Sequence, residues 1–163
     1  MKLLFVSHGC ICRSPMALGV MLRVLEAAAL DRPFELGAAG VTDRHRGRPP
    51  SLLAIEAAHR RGYDIRQVRA RAVTAEDLGY YDLLLAMDRT QLAFLRNVAP
   101  FGLVDRPTLL TRYGVPAPDI VDPYGGNAED YDRTLDLIEV ACRHLLGHIR
   151  RNLAAGRLPE MRK

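Results

Sequence analysis

The sequence predicts an α/β fold, a single domain with a small twisted parallel sheet of about four strands flanked by helices. Three observations carry this. Short apolar runs alternate with segments of helical periodicity. Asp82-Leu83-Leu84-Leu85-Ala86-Met87 is almost continuously apolar, as a strand buried on both faces must be. A short apolar strand also passes through a tight loop directly into a helix near residue 14.

The elements follow in order. Lys2 to Ser7 reads as a strand, and residues 8–12 as a loop carrying glycine and cysteine. A helix is expected to open at Ser14-Pro15, with the hydroxyl as N-cap and proline in the first turn. Its apolar face is Ala17, Val20, Met21, Val24, Leu25 and Ala28. A second strand covers Phe34 to Ala39. A helix follows Pro49-Pro50 and stops at Gly62, and the third strand is the 82–87 run. Asp88 begins another helix, with Gln91 placed to complete a capping box. A weak strand is expected between Leu103 and Leu110. A proline-rich loop, Val115 to Pro123, leads to a last helix striped with Leu135, Ile138, Cys142, Leu145 and Ile149.

The chain of 163 residues suits one domain at roughly 100–200 residues each. Residues 1–150 are read as that domain and residues 151–163 as a basic C-terminal tail. Hydrophobic residues make up 48% and charged residues 26%, which excludes a disordered or fibrous class. The first apolar run, Leu3 to Val6, is too short for a signal or membrane segment. Cysteines stand at 10, 12 and 142, an odd count unlike a secreted disulfide scaffold. A cytoplasmic protein with reduced thiols, not engaged with a membrane, is expected. Cys10-x-Cys12 lacks a second pair, so no metal and no cofactor is expected.

Charge is distributed unevenly around a net +4. Residues 44–71 hold eight arginines against Glu56 and Asp64, whereas 119–139 hold seven acids against Arg133. A basic rim that attracts anions is one reading, and solvated faces the other. Basic residues are not interleaved with aromatics, so nucleic acid is not an expected partner. In parallel sheets ligands bind beyond the carboxyl ends of the strands. The loop Ser7-His8-Gly9-Cys10-Ile11-Cys12-Arg13-Ser14 occupies that place. Its amides, the helix dipole and the Arg13 fork suit a tetrahedral oxyanion. No Walker pattern is present.

Leu4-Phe5-Val6, Gly9 and Ile11-Cys12-Arg13-Ser14-Pro15-Met16-Ala17 resemble the phosphate loop of the low-molecular-weight protein-tyrosine phosphatases. Gly47 with Pro49-Pro50, Arg60-Arg61-Gly62, Arg69-Ala70-Arg71, Thr74 to Leu78 and Leu85 to Arg89 also resemble that family. Asp122-Pro123-Tyr124 is similar to its acid loop. The resemblance implies a flavodoxin-like fold and phosphomonoester hydrolysis through a cysteinyl-phosphate. It implies that Arg13 holds the phosphoryl oxygens and that Asp122 is the general acid. His8, Gly9, Cys10, Ile11, Cys12 and Ser14 would line the anion, with Arg44 and Tyr124 beside the aryl ring. The implied partner is a phosphotyrosine protein or a small aryl phosphate, met by a monomer.

The chain departs from that pattern at the nucleophile. Six residues before Arg13 stands Ser7, and no Cys-x5-Arg occurs anywhere. A serine hydroxyl needs a general base, and none is evident from the sequence. The family's usual asparagine, serine and frequent histidine are replaced by Cys10, Ala38 and Val68, so a looser loop is expected. Three readings stay open. The chain is an enzyme disabled by a deliberate change to serine, or a natural non-catalytic binder of phosphotyrosine or another oxyanion. The third is an enzyme of the arsenate-reductase kind, weakened by the missing cysteine.

Overall fold

Strand β1 (Lys2–Ser7) is the centre of the molecule because every residue from Leu4 to Ser7 is buried on both faces. The computed structural model describes residues 1–30 and 33–156. The sheet runs β2-β1-β3-β4, all parallel, with β2 at Glu35–Gly40, β3 at Leu83–Ala86 and β4 at Pro107–Leu109. β1 therefore has β2 on one side and β3 on the other. That reversal of strand order is the switch point at which doubly wound sheets open a crevice.

Side-chain alternation sorts the core into two layers. Leu3, Phe5, Leu83 and Leu85 face helices α1 (Arg13–Ala28), α2 (Leu52–Arg60) and α5 (Ala128–Ala154). Leu4, Val6, Leu84 and Ala86 face α3 (Ala75–Tyr80) and α4 (Arg89–Val98) through Leu78 and Leu95. The stripe expected on the last helix is real, since Leu135, Ile138, Cys142, Leu145 and Ile149 are all fully buried.

Three local expectations are corrected, and one helix is added. The first helix begins at Arg13 with Cys12 as its N-cap and no side-chain cap, so Ser14 is not the cap. Its hydroxyl instead meets Ser7 and the Ala39 carbonyl, leaving the first-turn N–H groups uncapped. The fourth strand shrinks to Pro107–Leu109 because Leu103 to Arg106 forms turns behind Gly102. Only half the expected capping box exists at Asp88. Its carboxylate accepts from the Thr90 and Gln91 amides, but Gln91 Oε1 does not return a bond to the Asp88 N–H and has no partner among the described residues. Helix α3 was not anticipated, although Thr74 and Asp77 form a complete reciprocal box around it. The proposed boundary at residue 150 falls inside α5, which runs to Ala154 because Ile149 and Leu153 continue the buried stripe. Residues 157–163, most of the expected tail, lie outside the described residues.

Gly40 shows how the sheet supports the loop above it. A Cβ there would stand 2.8 Å from the His8 carbonyl oxygen and 3.1 Å from the Cys10 nitrogen. Only a bare backbone lets the 8–12 loop rest on the end of β2.

Removal of core volume at the α5 contact gives a direct test. Ile138→Ala is expected to cost about 2–5 kcal/mol with an unchanged denaturant slope, because the site is closed on all sides. A loss below about 1 kcal/mol in urea unfolding contradicts tight packing of α5 on α1.

Candidate active site

The end of β1 opens into a cavity of about 400 Å³. Its floor is Ser7, His8, Gly9, Ile11, Cys12 and Arg13, and its rim is Arg44, His45, Asp122 and Tyr124. Nine of the eleven predicted site residues line this cavity, eight of them being Ser7, His8, Gly9, Ile11, Cys12, Arg13, Asp122 and Tyr124. Arg44 joins them from the 41–48 loop. Cys10 and Ser14 do not line it. Cys10 turns away at a left-handed φ of 56° and packs with Ala38 and Ala70. Ser14 is fully buried beneath Ser7, with 2.8 Å between their oxygens.

The loop backbone is arranged for an anion. Carbonyls of Ser7, His8 and Ile11 accept from the amides of Val41, Thr42 and Ser51. No N–H from His8 to Cys12 donates to another protein group among the described residues. The carbonyls are thus tied outward at the mouth of a helix whose first N–H groups are uncapped. Such a nest favours a bound negative charge. The left-handed Cys10 is part of this curvature. A non-glycine residue there carries strain, and asparagine tolerates that conformation better than cysteine.

Arg13 is the largest fully buried side chain and is only 2% exposed. One terminal nitrogen donates to Asp88 Oδ2 at 2.7 Å and to the Ile120 carbonyl at 2.8 Å. The other donates to Asp122 Oδ2 at 2.9 Å. Its Nε is buried with no partner among the described residues. A buried guanidinium whose Nε–H is idle at a cavity of this kind is placed to receive an oxyanion.

The acid loop is held in register from both ends. The Ile120 amide donates to the Met87 carbonyl. Asp122 Oδ1 accepts from the Tyr124 amide across Pro123, an Asx turn that fixes the carboxylate. Tyr124 is 63% exposed and its ring centroid lies 6.2 Å from that of His45. The two rings face each other across the mouth. His45 rests against Gly9, and sequence reasoning missed it because only Arg44 was weighed there.

The thiols are not poised as nucleophiles. Cys12 Sγ stands 3.4 Å from both Ser51 Oγ and the Tyr131 hydroxyl. Burial pushes the Cys12 thiol above its usual range, and burial does the same to Cys10. Burial and the Cys12 contact push the Tyr131 phenol up to about 12. Ser7 Oγ has only Ser14 as a side-chain hydrogen-bond partner among the described residues. Asp88, Ser51 and Tyr131 were also missed as site residues. Asp88 could have been found only by noticing that a cap residue at the end of β3 stands beside the end of β1.

The expected basic rim is largely neutralised within the fold. Arg60 and Arg61 pair with Asp132, Asp136 and Glu139 on α5, Arg66 with Asp64, and Arg71 with Asp77. Arg44 is the member of that arginine-rich stretch that reaches the cavity. Among the described residues no cluster of three His, Cys, Asp or Glu able to hold a metal occurs, and no helix is long and apolar enough to cross a membrane.

Asp88 tests the support of Arg13. Asp88→Asn keeps a competent cap but removes one counter-charge, and is expected to cost about 1–3 kcal/mol. A loss below about 0.5 kcal/mol in denaturant unfolding means Asp122 alone balances Arg13.

Comparison with known proteins agrees with this geometry. The family model for low molecular weight phosphotyrosine protein phosphatase matches residues 2–155. The low molecular weight protein-tyrosine-phosphatase YfkJ of Bacillus subtilis is 32% identical over 153 residues, spanning 92% of this chain and 96% of that one. A protein tyrosine phosphatase from Entamoeba histolytica, solved with Hepes in its active site, superposes with a TM-score of 0.88. It is 29% identical, over 97% of this chain and 99% of that one. A C7S mutant of the YwlE arginine phosphatase, solved with a phosphorylated active-site serine, has a TM-score of 0.84 and 27% identity over 93% and 97% of the two chains. With the family model spanning nearly all of β1 to α5, this chain belongs to the low molecular weight phosphotyrosine protein phosphatase family.

Proposed function

We propose that this chain binds phosphotyrosine on proteins, or a small aryl phosphate, and holds it with little or no turnover. The observation that carries this is the meeting of the unpartnered Arg13 Nε and the undonated His8–Cys12 amides at one cavity beside Ser7. Arg13 takes the phosphoryl oxygens, and the His45, Tyr124 and Arg44 rim flanks the aryl group. Asp122, which lines the same cavity, is read as the general acid for the leaving oxygen. Ser7 occupies the nucleophile position. Among the described residues its hydroxyl meets only the Ser14 side chain, so no base is at hand to take its proton, and a neutral hydroxyl attacks phosphorus poorly.

The phosphorylated serine in the YwlE variant supports a corollary. A serine at this loop position can accept a phosphoryl group, and an oxygen ester there is a poor substrate for release. Ser7 is accordingly read as a slow acceptor and not a turnover nucleophile. The protein is taken to act in the cytoplasm as a monomer.

A specific observation favours a natural non-catalytic protein over a disabled enzyme. Cys10, Ala38 and Ala70 form a closed apolar cluster joined by Val68, Ile11 and Leu18. Coordinated packing of this kind does not follow from a single change at position 7. A thiol relay is not supported, because Cys10, Cys12 and Cys142 are all buried.

Calorimetry with phosphate or vanadate tests the binding. The native chain is expected to bind, and Arg13→Ala to lose about 1.5–3 kcal/mol, roughly 10–100-fold. Equal binding by both, with the variant shown to be folded, overturns the site.

Ser7→Cys tests the latent chemistry. The native chain should hydrolyse aryl phosphates at background rate and the cysteine variant should gain turnover. Adding Asp122→Ala should then slow a poor leaving group by about 10²–10⁴-fold and a good one far less. Ordinary phosphatase turnover by the native chain overturns the proposed inactivity. A cysteine variant whose activity ignores Asp122 overturns its assignment as acid.

A further inference from the structure

A second concavity, of about 390 Å³, lies along the distal half of α5 and faces the turn after β4. Three arginines line it: Arg112 from the turn, and Arg143 and Arg151 from α5. His144 and His148 stand between them, and no carboxylate belongs to its wall among the described residues. We propose that this concavity is a binding site for inorganic polyphosphate of two or three linked phosphoryl groups.

The positive charge here is not accounted for by the fold. Arg112 and Arg151 make no side-chain hydrogen bond or ion pair among the described residues, in contrast to the paired arginines of α2. Arg143 has only a long 3.7 Å contact to Glu139. Complementing the helix dipole explains at most a cation in the last turn of α5. Arg143 and His144 lie more than two turns before Ala154, and Arg112 belongs to another element. Like charges gathered from two elements into one hollow cost energy through repulsion and are relieved by a shared anion.

The hollow is shaped as well as charged. The His144 ring lies so close over Gly114 that any Cβ there would overlap it, which sets the turn directly against α5. The Arg151 guanidinium overlies Gly147, where a Cβ would stand 3.5 Å from Nη1. His148 is fixed by Asn152 Nδ2 at 2.8 Å and by an edge contact to Tyr113, with ring centroids 5.4 Å apart. Burial, then the charges of Arg151 and Arg112, lower the His148 pKa. Those two guanidinium groups therefore act on the same point.

The chemistry of the wall selects the ligand. Guanidinium forks match phosphoryl oxygens in pairs. Three permanent charges suit a polyanion better than a single phosphate. Tyr113 is only 9% exposed and its ring is engaged with His148, so no open aromatic face is offered to a nucleobase. Arg143 and Arg151 follow one face of α5, but Arg112 comes from a second element and faces them across the hollow, so the charge is gathered at one place and does not extend as a track along which a nucleic acid or a membrane would lie. The site is independent of Arg13, since His144 lies about 20 Å along α5 from Tyr131 at 1.5 Å per residue.

The histidines make the test self-reporting. His8 and His45 line the first cavity, His144 and His148 the second, and His59 lies on α2 near neither. Imidazole resonances are followed during titration with tripolyphosphate and pyrophosphate in moderate salt. The expected result is saturable movement of His144 and His148, with at least tenfold weaker binding of orthophosphate there. Arg112→Gln/Arg151→Gln alters two exposed side chains, so its melting temperature should stay unchanged. It should weaken tripolyphosphate at least tenfold as read by His144 and His148, with the His8 and His45 response unaltered. The proposal is overturned if His144 and His148 fail to move, move equally with sodium chloride, or move undiminished in the double variant. Silence at His8 and His45 alone would count against the first cavity and leave this one standing.

Discussion

The structure depends on one buried cation. Arg13 is sealed at the junction of β1, β3 and the 115–123 loop, where an unbalanced guanidinium would be costly. Asp88, Asp122 and the Ile120 carbonyl share that charge, and each comes from chain more than 70 residues away in sequence. Asp88 serves twice, since its other oxygen caps α4. The acid loop is therefore positioned by the same group that is left with an idle donor at the cavity.

Around this fixed cation the loop is ordered by backbone curvature and by packing. A nest of amides needs curvature, and Cys10 supplies it at a left-handed φ that its side chain does not favour. The strain is held by burial, because the thiol packs on Ala38, Ala70 and Val68. A looser loop was expected from the loss of polar partners. In the fold Cys10 packs in an apolar cluster while its thiol still meets the Ser14 side chain and the Arg71 backbone. Ser7 and Ser14 keep the one short polar contact beneath the anion.

Charge follows the same logic on the surface. The arginine-rich 44–71 stretch and the acidic 119–139 stretch look like opposing fields in the sequence. In the fold they are neighbours, and α2 and α5 pair them across their interface. Such exposed pairs add little stability individually. Their effect is to cancel one field and leave two others, Arg44 at the first cavity and the Arg112, Arg143, Arg151 group at the second.

The sequence by itself determined the α/β class, the strand–loop–helix joint, the buried stripe of α5 and the loop of residues 7–13 that floors the cavity. These are local or periodic properties, written in alternation, helical spacing and the run of one loop. The missing Cys-x5-Arg was equally plain, because register is a linear quantity. Tertiary structure alone decided that Asp88 braces Arg13, that His45 faces Tyr124, and that Cys10 and Ser14 turn away from the cavity. It also decided which arginines are spent in ion pairs and which remain. Each of those depends on groups distant in sequence meeting at short range, where burial and charge balance, and not residue type, set the outcome.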